Sequence, residues 1–266
     1  MSGGELRRLD LNGKQLASVP ESIGGMTGLE ELSLWRNQLT SLPDFLWEMK
    51  SLRVLNVAEN RLSSLSERLG QLGGLEMLDI AHNELMRLPD SIGNLRRLRT
   101  FLYMSDNRLT SIPESIGDLR ELGYLNVTDN RLSALPDSIG SMARLSELRL
   151  YGNQLTELPD SIGRLAALKE LHLSNNRLAS LPETIGGLER LMLLDLRNNR
   201  LSSLPASLGS LKNLRHLDLR SNELTSVPEP IRDLSSLEKL DLRWNEVRPL
   251  PDWLQRRVHD GCTVYF

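Results

Sequence analysis

Residues 168–178 read LKELHLSNNRL, one instance of the pattern L-x-x-L-x-L-x-x-N-x-L that recurs along the chain. The asparagine returns every 23 residues, with a single step of 24 between Asn83 and Asn107. Its positions are Asn37, Asn60, Asn83, Asn107, Asn130, Asn153, Asn176, Asn199, Asn222 and Asn245. A fixed period of this length predicts a solenoid, in which each repeat buries its apolar face against its neighbours.

An earlier copy of the pattern begins at Leu6 and carries Lys14 in the place of the asparagine, which gives eleven repeats over about residues 6–259. The L-x-L part alternates with period two and predicts a short strand. The second part of each repeat reads L-P-x-x-I-G-x-L, as at residues 158–165, and predicts a short helical or extended return that proline can open. Ser66 replaces this proline in the third repeat.

On these motifs the sequence resembles the leucine-rich repeat family over essentially the whole chain. The 23-residue form is similar to that of intracellular Ras-group proteins, plant relatives and bacterial repeat proteins. The resemblance implies an α/β solenoid: a right-handed horseshoe of about eleven repeats, with one curved parallel sheet on its concave face. We expect residues 1–259 to form this domain and residues 250–266 to form a C-terminal cap of the same domain.

The fifth repeat carries one extra residue between Leu98 and Leu102. Counting back from the asparagine places Leu102 and Met104 inward, so a bulge that kinks the sheet is expected just before them. Two readings stay open for Phe101, which either remains on the outward face or is turned inward by the bulge.

The composition is that of a folded chain without a strong charge bias. Among 266 residues, 39% are hydrophobic and 25% charged, and 32 basic against 35 acidic residues leave a net charge of −3. This balance gives no electrostatic footprint for nucleic acid or a membrane surface. The single cysteine, Cys262, excludes an internal disulfide and is expected to be buried in the cap.

The N-terminal sequence carries no apolar core typical of a signal peptide, and we expect a cytoplasmic protein, with delivery into a host cell as an effector as the alternative. Only five residues precede the first predicted strand. We therefore expect the open N-terminal edge either to continue a longer protein or to meet a partner.

Apolar and aromatic residues occupy outward strand positions of the third to sixth repeats, where charge is sparse. Such a strip is typical of an interface. We predict a central contact at Phe101, Tyr103 and Tyr124, with flanking and orienting residues around it. The full predicted partner-binding set is Val54, Met77, Phe101, Tyr103, Tyr124, Arg149, Tyr151, Arg197, Arg220 and Arg243.

The triplet Asp-Leu-Arg occurs at the same place in three consecutive repeats, at residues 195–197, 218–220 and 241–243. Its aspartates and arginines are predicted to form neighbouring columns. The columns either neutralise one another as a solvated face or offer arginine forks to carboxylates of a partner.

No residue pattern indicates catalysis. His172 has one plausible acidic neighbour, Asp195, and such a pair without a placed nucleophile is an incomplete triad. The sequence carries no phosphate-binding string and no clustered metal ligands, so we expect no enzyme activity, cofactor or metal.

Together these features predict a non-enzymatic protein–protein interaction module that binds a polypeptide on its concave face, and they favour a monomer over a homo-oligomer. The alternative is the recognition domain of a larger signalling enzyme or secreted effector, of the kinase, GTPase or ubiquitin-ligase type, whose catalytic part lies elsewhere.

Overall fold

The computed structural model of the chain describes residues 6–259 and 261–266. Residues 1–5 and Asp260, which fall within the predicted repeat domain and cap, lie outside the described residues. The chain divides into two compact bodies, Met1–Arg131 and Leu132–Phe266, which are described separately below.

Strands in the N-terminal body follow the chain order and pair in parallel, and each outward position aligns with the same position of the next repeat, as Glu31 does with Val54. This register is what a fixed repeat length predicts, because one repeat advances the chain by one strand. The strands are β1 (Arg8–Asp10), β2 (Glu31–Ser33), β3 (Val54–Asn56), β4 (Met77–Asp79), β5 (Phe101–Tyr103) and β6 (Tyr124–Asn126).

Strands in the C-terminal body repeat the arrangement and end in a cap. They are β7 (Glu147–Arg149), β8 (Glu170–His172), β9 (Leu193–Asp195), β10 (His216–Asp218), β11 (Lys239–Asp241) and β12 (Thr263–Tyr265).

The cap consists of the helix α1 (Asp252–His259), which buries Trp253 and Leu254, and of β12, which pairs in parallel with β11. Cys262 is buried there, as predicted.

The return segments are five-residue 3₁₀ helices, and a proline precedes nearly every one of them. At Ser66, where proline is replaced, the hydroxyl oxygen accepts the backbone N–H of Arg68 at 3.1 Å and caps the helix instead. The helices are Glu21–Gly25, Asp44–Glu48, Glu67–Gln71, Asp90–Asn94 and Glu114–Asp118 in the N-terminal body, and Asp137–Ser141, Asp160–Arg164, Glu183–Gly187, Ala206–Ser210 and Glu229–Asp233 in the C-terminal body.

Leucine fills the core of both bodies. In β8, for example, Leu171 points inward and is fully buried, and Leu173 after the strand is buried as well. The third and fifth positions of each repeat, such as Glu170 and His172, point to the opposite side, which we call the open face. The predicted class, an α/β solenoid of stacked repeats with a parallel sheet, is confirmed.

The recurring asparagines join neighbouring repeats. The Oδ1 atom of Asn176 accepts the backbone N–H of Leu155 in the preceding repeat at 3.0 Å. Its Nδ2 atom donates to Leu150 O in that repeat and to Leu173 O in its own, both at 3.0 Å. The amide thus satisfies backbone groups that the bend leaves unpaired, as the sequence predicts.

The residue before each of these asparagines has a left-handed backbone conformation, which the sequence analysis did not predict. The φ angles of the non-glycine residues there lie between 51° and 59°. Five of the nine are asparagine, aspartate or histidine, which adopt this region more readily than other side chains, and four are not. They are Arg36, Glu59, His82, Asp106, Asp129, Asn175, Asn198, Ser221 and Trp244.

Glycine in the return segment allows neighbouring repeats to approach closely. A Cβ atom added at Gly163 would lie 2.1 Å from the carbonyl oxygen of Thr184 in the next repeat. The glycine period of the sequence is therefore a packing requirement.

Candidate functional site

The predicted contact residues of the N-terminal body lie on the open face of its sheet. Val54 aligns with Met77, Met77 with Phe101, and Phe101 with Tyr124 across successive strands. Tyr103 follows two residues after Phe101 on the same face. All five side chains are half-buried, and we call this set the aromatic strip.

Three rings of the aromatic strip contact one another. The rings of Phe101 and Tyr103 are stacked, with centroids 5.4 Å apart and planes at 21°. Tyr124 meets Phe101 edge to face at 5.5 Å and 78°, and its ring lies 5.3 Å from that of Tyr103. These separations are those at which aromatic pairs attract, so the rings form a preorganised cluster.

The extra residue of the fifth repeat is taken up just before β5. The backbone N–H groups of Arg99 and Thr100 both point at Glu76 O, at 3.3 and 3.4 Å, longer than usual for such bonds. The register is regained at once, because Phe101 aligns with Met77. Phe101 therefore stays on the open face, and the reading in which the bulge turns it inward is wrong.

Two carboxyl groups of the N-terminal body have raised pKa values. Asp79 aligns with Tyr103 and accepts the backbone N–H of Ala81 at 3.1 Å, and burial raises the pKa of its carboxyl group. Burial also raises the pKa of Asp129, with a further contribution from the charge of Asp106. Both carboxyl groups are therefore harder to ionise than a fully solvated aspartate.

In the C-terminal body the aspartate and arginine columns are confirmed, and they pair mainly within a repeat. Each arginine contacts the aspartate two residues before it, at 3.4 Å for Asp195–Arg197, 2.5 Å for Asp218–Arg220 and 2.6 Å for Asp241–Arg243. A lateral contact joins Arg220 to Asp241 at 3.4 Å. The columns neutralise one another, so a partner carboxylate would compete with an internal one.

Arg243 contacts two aromatic rings in addition to its aspartate. Its guanidinium lies 4.9 Å from the ring centroid of Tyr265 and 5.5 Å from that of Trp244. Burial of Asp241 opposes ionisation, but hydrogen bonds from Arg243 outweigh it and the net effect is a lowered pKa.

Arg149 and Tyr151, predicted to flank the central contact, belong to the C-terminal body. Arg149 Nε donates to Glu147 Oε1 at 2.5 Å, and Tyr151 is half-buried. Both therefore sit on or beside the open face of this body.

His172 aligns with Asp195, as the repeat spacing predicts, yet its nearest carboxylates are others. His172 Nε2 lies 3.1 Å from Glu170 Oε2 and 3.9 Å from Glu147 Oε1. The sequence analysis missed these glutamates, although both occupy third positions of adjacent repeats and this spacing places them side by side. Burial raises the pKa of the Cys262 thiol, which disfavours the nucleophilic thiolate.

The repeats, the parallel strands and the asparagine ladder define a class of solenoid that presents one open sheet face. Two family profiles match the chain: one described as a leucine-rich repeat region at residues 92–175 and 161–245, and one described as leucine rich repeat at residues 4–62 and 50–109. The chain belongs to the leucine-rich repeat family, whose members typically serve as protein–protein interaction modules.

Solved structures of similar fold include bacterial and plant proteins. The functional domain of InlJ from Listeria monocytogenes has a TM-score of 0.81 at 23% identity over 98% of this chain and 52% of its own. YopM, a leucine-rich effector protein from Yersinia pestis, has a TM-score of 0.72 at 31% identity, and the match covers 90% of this chain and 61% of YopM. The Arabidopsis receptor kinase HAESA was solved in complex with the peptide hormone IDA and the co-receptor SERK1. It has a TM-score of 0.78 at 31% identity, and the match covers 92% of this chain and 43% of the HAESA chain.

The chain thus spans between 43% and 61% of the length of these three structures. A search of functionally curated proteins found no match. Within residues 6–259 and 261–266, the longest helices are too short or too polar to cross a lipid bilayer.

Proposed function

We propose that this protein is a non-enzymatic module that binds a polypeptide partner on the open, concave face of its sheet, with the aromatic strip as the central contact. The ring cluster of Phe101, Tyr103 and Tyr124 is the observation that carries the proposal. Rings that already contact one another lose little freedom when a partner covers them, so binding energy can concentrate on them.

The neighbours of the ring cluster support an apolar contact. Val54 and Met77 continue the strip on β3 and β4 without a charge at the third position. Strips of this kind, bordered by polar groups such as Asp79, have the composition of interface centres. The complexes of the plant receptor HAESA offer a precedent for peptide binding by a leucine-rich repeat solenoid.

The arginines of the C-terminal body have a secondary role in this proposal. Arg197 and Arg243 are more exposed than Arg220, and each is already paired with an aspartate. On binding, these arginines would exchange their own aspartate for a carboxylate of the partner. This exchange would contribute to the orientation and specificity of binding more than to its affinity. Arg149 and Tyr151 are proposed to flank the same contact.

The experiment is a capture of partners from a lysate of the source organism with two variants beside the wild type. The test variant is Phe101→Ala/Tyr103→Ala/Tyr124→Ala, and the control is Phe266→Ala, which removes an aromatic residue that is 68% exposed at the C-terminal end of the described chain. We expect a partner that is lost with the test variant and kept with the control. Circular dichroism checks that both variants are folded, and a partner retained within about twofold by a folded triple variant contradicts the map.

A second candidate, the recognition domain of a larger signalling enzyme or effector, is favoured by the lengths of the similar structures, of which this chain spans about half. The effector YopM and the receptor kinase HAESA are examples of such longer proteins. Sequencing of the gene around this segment tests the candidate, because a fused catalytic domain would establish it.

We also propose a cytoplasmic location and a monomeric state. The location rests on the single cysteine, Cys262, which is buried. Cell fractionation tests the location, and light scattering over a range of concentrations tests the oligomeric state.

A further inference from the structure

A group of potential metal ligands lies on β7 and β8, on the open face of the C-terminal body. It consists of Glu147, Glu170 and His172, whose ligand atoms all lie within 4.8 Å of one another. All three residues are half-buried. The sequence analysis predicted no metal, because these residues are 23 positions apart along the chain or separated by one leucine.

The sheet holds these side chains together. Glu147 aligns with Glu170 in the parallel pairing of β7 and β8, and His172 follows Glu170 by two residues on the same face. The inward Leu148 and Leu171 between them are fully buried and anchor both strands in the core. The ligands are therefore brought together by regular backbone.

The distances are close to those of a tetrahedral zinc site. With zinc bonds of about 2.0–2.2 Å, neighbouring ligand atoms in a tetrahedron lie roughly 3.3 Å apart. His172 Nε2 lies 3.1 Å from Glu170 Oε2 and 3.9 Å from Glu147 Oε1. Coordination by Glu147 Oε1 would require this oxygen to exchange its contact with Arg149 Nε, 2.5 Å away, for the metal.

The chemistry of the donors also favours zinc. One imidazole nitrogen with carboxylate oxygens is a ligand set for zinc and related transition metals, whereas calcium and magnesium prefer oxygen alone. Three protein ligands on an accessible face leave a fourth position for water or for a donor atom of another molecule.

The local charge is consistent with a bound cation. Glu147 is paired with Arg149, whose Nε lies 2.5 Å from Glu147 Oε1. Among the described residues, the ion-pair contact of Glu170 is with His172, which carries a charge only when it is protonated. Two carboxylates against one permanent positive charge leave one excess negative charge, which favours the approach of a cation.

We propose that Glu147, Glu170 and His172 form a zinc-binding site on the open face of the C-terminal body. The three ligands belong to the C-terminal body, whereas the aromatic strip belongs to the N-terminal body, but Glu147 pairs with Arg149, which is proposed to flank the polypeptide contact. Zinc binding is measured without a partner, so the two proposals can fail separately.

The experiment is a zinc titration of the full chain at neutral pH, in competition with a chromophoric chelator. We expect one zinc ion per chain to bind more tightly than zinc binds to the other histidines. Excess magnesium or calcium should not displace this ion. His172→Ala is expected to weaken binding by roughly tenfold or more, and Glu170→Gln by several fold.

The matched control is His216→Ala, because His216 lies on the open face of β10 with a carboxylate, that of Glu238, 3.8 Å away. The zinc affinity of this variant should lie within about twofold of the wild-type affinity. Cobalt substitution provides an independent readout, since a tetrahedral site with nitrogen and oxygen ligands gives strong visible absorption that should vanish in His172→Ala.

Either of two results would overturn the assignment. The first is the absence of stoichiometric binding with zinc in excess over the chain. The second is equal zinc affinity of wild type and a folded His172→Ala variant, which would place any bound zinc elsewhere.

Discussion

Replacement of Asn176 by alanine tests how the repeats hold together. The side chain is 9% exposed, and its Oδ1 atom is the acceptor for the backbone N–H of Leu155 at 3.0 Å. In Asn176→Ala this buried N–H loses its acceptor. A buried donor left unpaired costs about 1–3 kcal/mol.

The carbonyl groups that Asn176 serves are affected less. Leu150 O also accepts from Asn153 Nδ2, and Leu173 O also accepts from Asn199 Nδ2, each at 3.0 Å. Both oxygens therefore keep one donor after the substitution. The loss at each is that of an ordinary hydrogen bond, at the low end of about 0.5–1.5 kcal/mol.

The sum predicts a fall of about 2–4 kcal/mol in the free energy of unfolding for Asn176→Ala. Urea unfolding followed by far-ultraviolet circular dichroism measures it, and the m-value shows whether the array still unfolds as one unit. The matched control is Asn245→Ala, which removes equivalent bonds where the groups are only partly buried. Its loss should be less than half as large, because water can replace the amide.

Two results would refute this reasoning. A loss below about 1 kcal/mol for Asn176→Ala would mean that water reaches the ladder in the interior. Equal losses for Asn176→Ala and Asn245→Ala would mean that burial does not set the strength of these bonds.

Two further substitutions probe the packing and the electrostatics. Gly163→Ala would place a Cβ 2.1 Å from Thr184 O and should lower the free energy of unfolding by about 1–3 kcal/mol. The control is Gly25→Ala, whose Cβ would have no atom within 4 Å and should not lower stability. Equal urea midpoints for the two variants would contradict the packing argument. The raised pKa of Asp79 means that its ionised form penalises the fold above that pKa, and that the penalty vanishes as pH falls below the unfolded value of 3.8. Asp79→Asn can still accept the N–H of Ala81. Its free energy of unfolding, measured by thermal unfolding, should therefore rise by up to about 1 kcal/mol at neutral pH and stay unchanged at about pH 3. A lower stability of this variant at neutral pH would refute the burial argument.

The period of the sequence is sufficient to predict the backbone of the repeats. Counting from Asn107 places Leu102 and Met104 inward, and both are fully buried. The count works because the insertion is absorbed at Thr100, before the strand begins, where it lengthens two backbone hydrogen bonds to Glu76 O without shifting the register of β5. Inward and outward positions therefore follow from the sequence even in the irregular repeat.

Side-chain partners on the open face are less predictable, because several neighbours compete for each group. Position alone pairs His172 with Asp195, yet the imidazole turns toward Glu170 on its own strand. Arg220 likewise binds Asp218 more closely than Asp241. Rotamer choice decides these contacts, and a repeat pattern carries no information about it.

The left-handed backbone conformation of the residues before the asparagines also could not be predicted from the sequence pattern. Glycine or asparagine usually marks such a position, as Asn175 does, but Arg36 and Glu59 adopt it as well. Closure of the bend by the following asparagine outweighs the local backbone preference.

The asparagine ladder also bears on how such a chain can evolve. Each ladder amide bonds to the repeat before it through the same backbone groups, so every joint within a body is interchangeable with the next. A duplication or deletion of 23 codons would therefore create one new joint with the same ladder bonds, while most shorter changes would break a joint. Such changes would lengthen or shorten the open face in whole strands of about 4.8 Å while the ladder bonds between repeats stay the same.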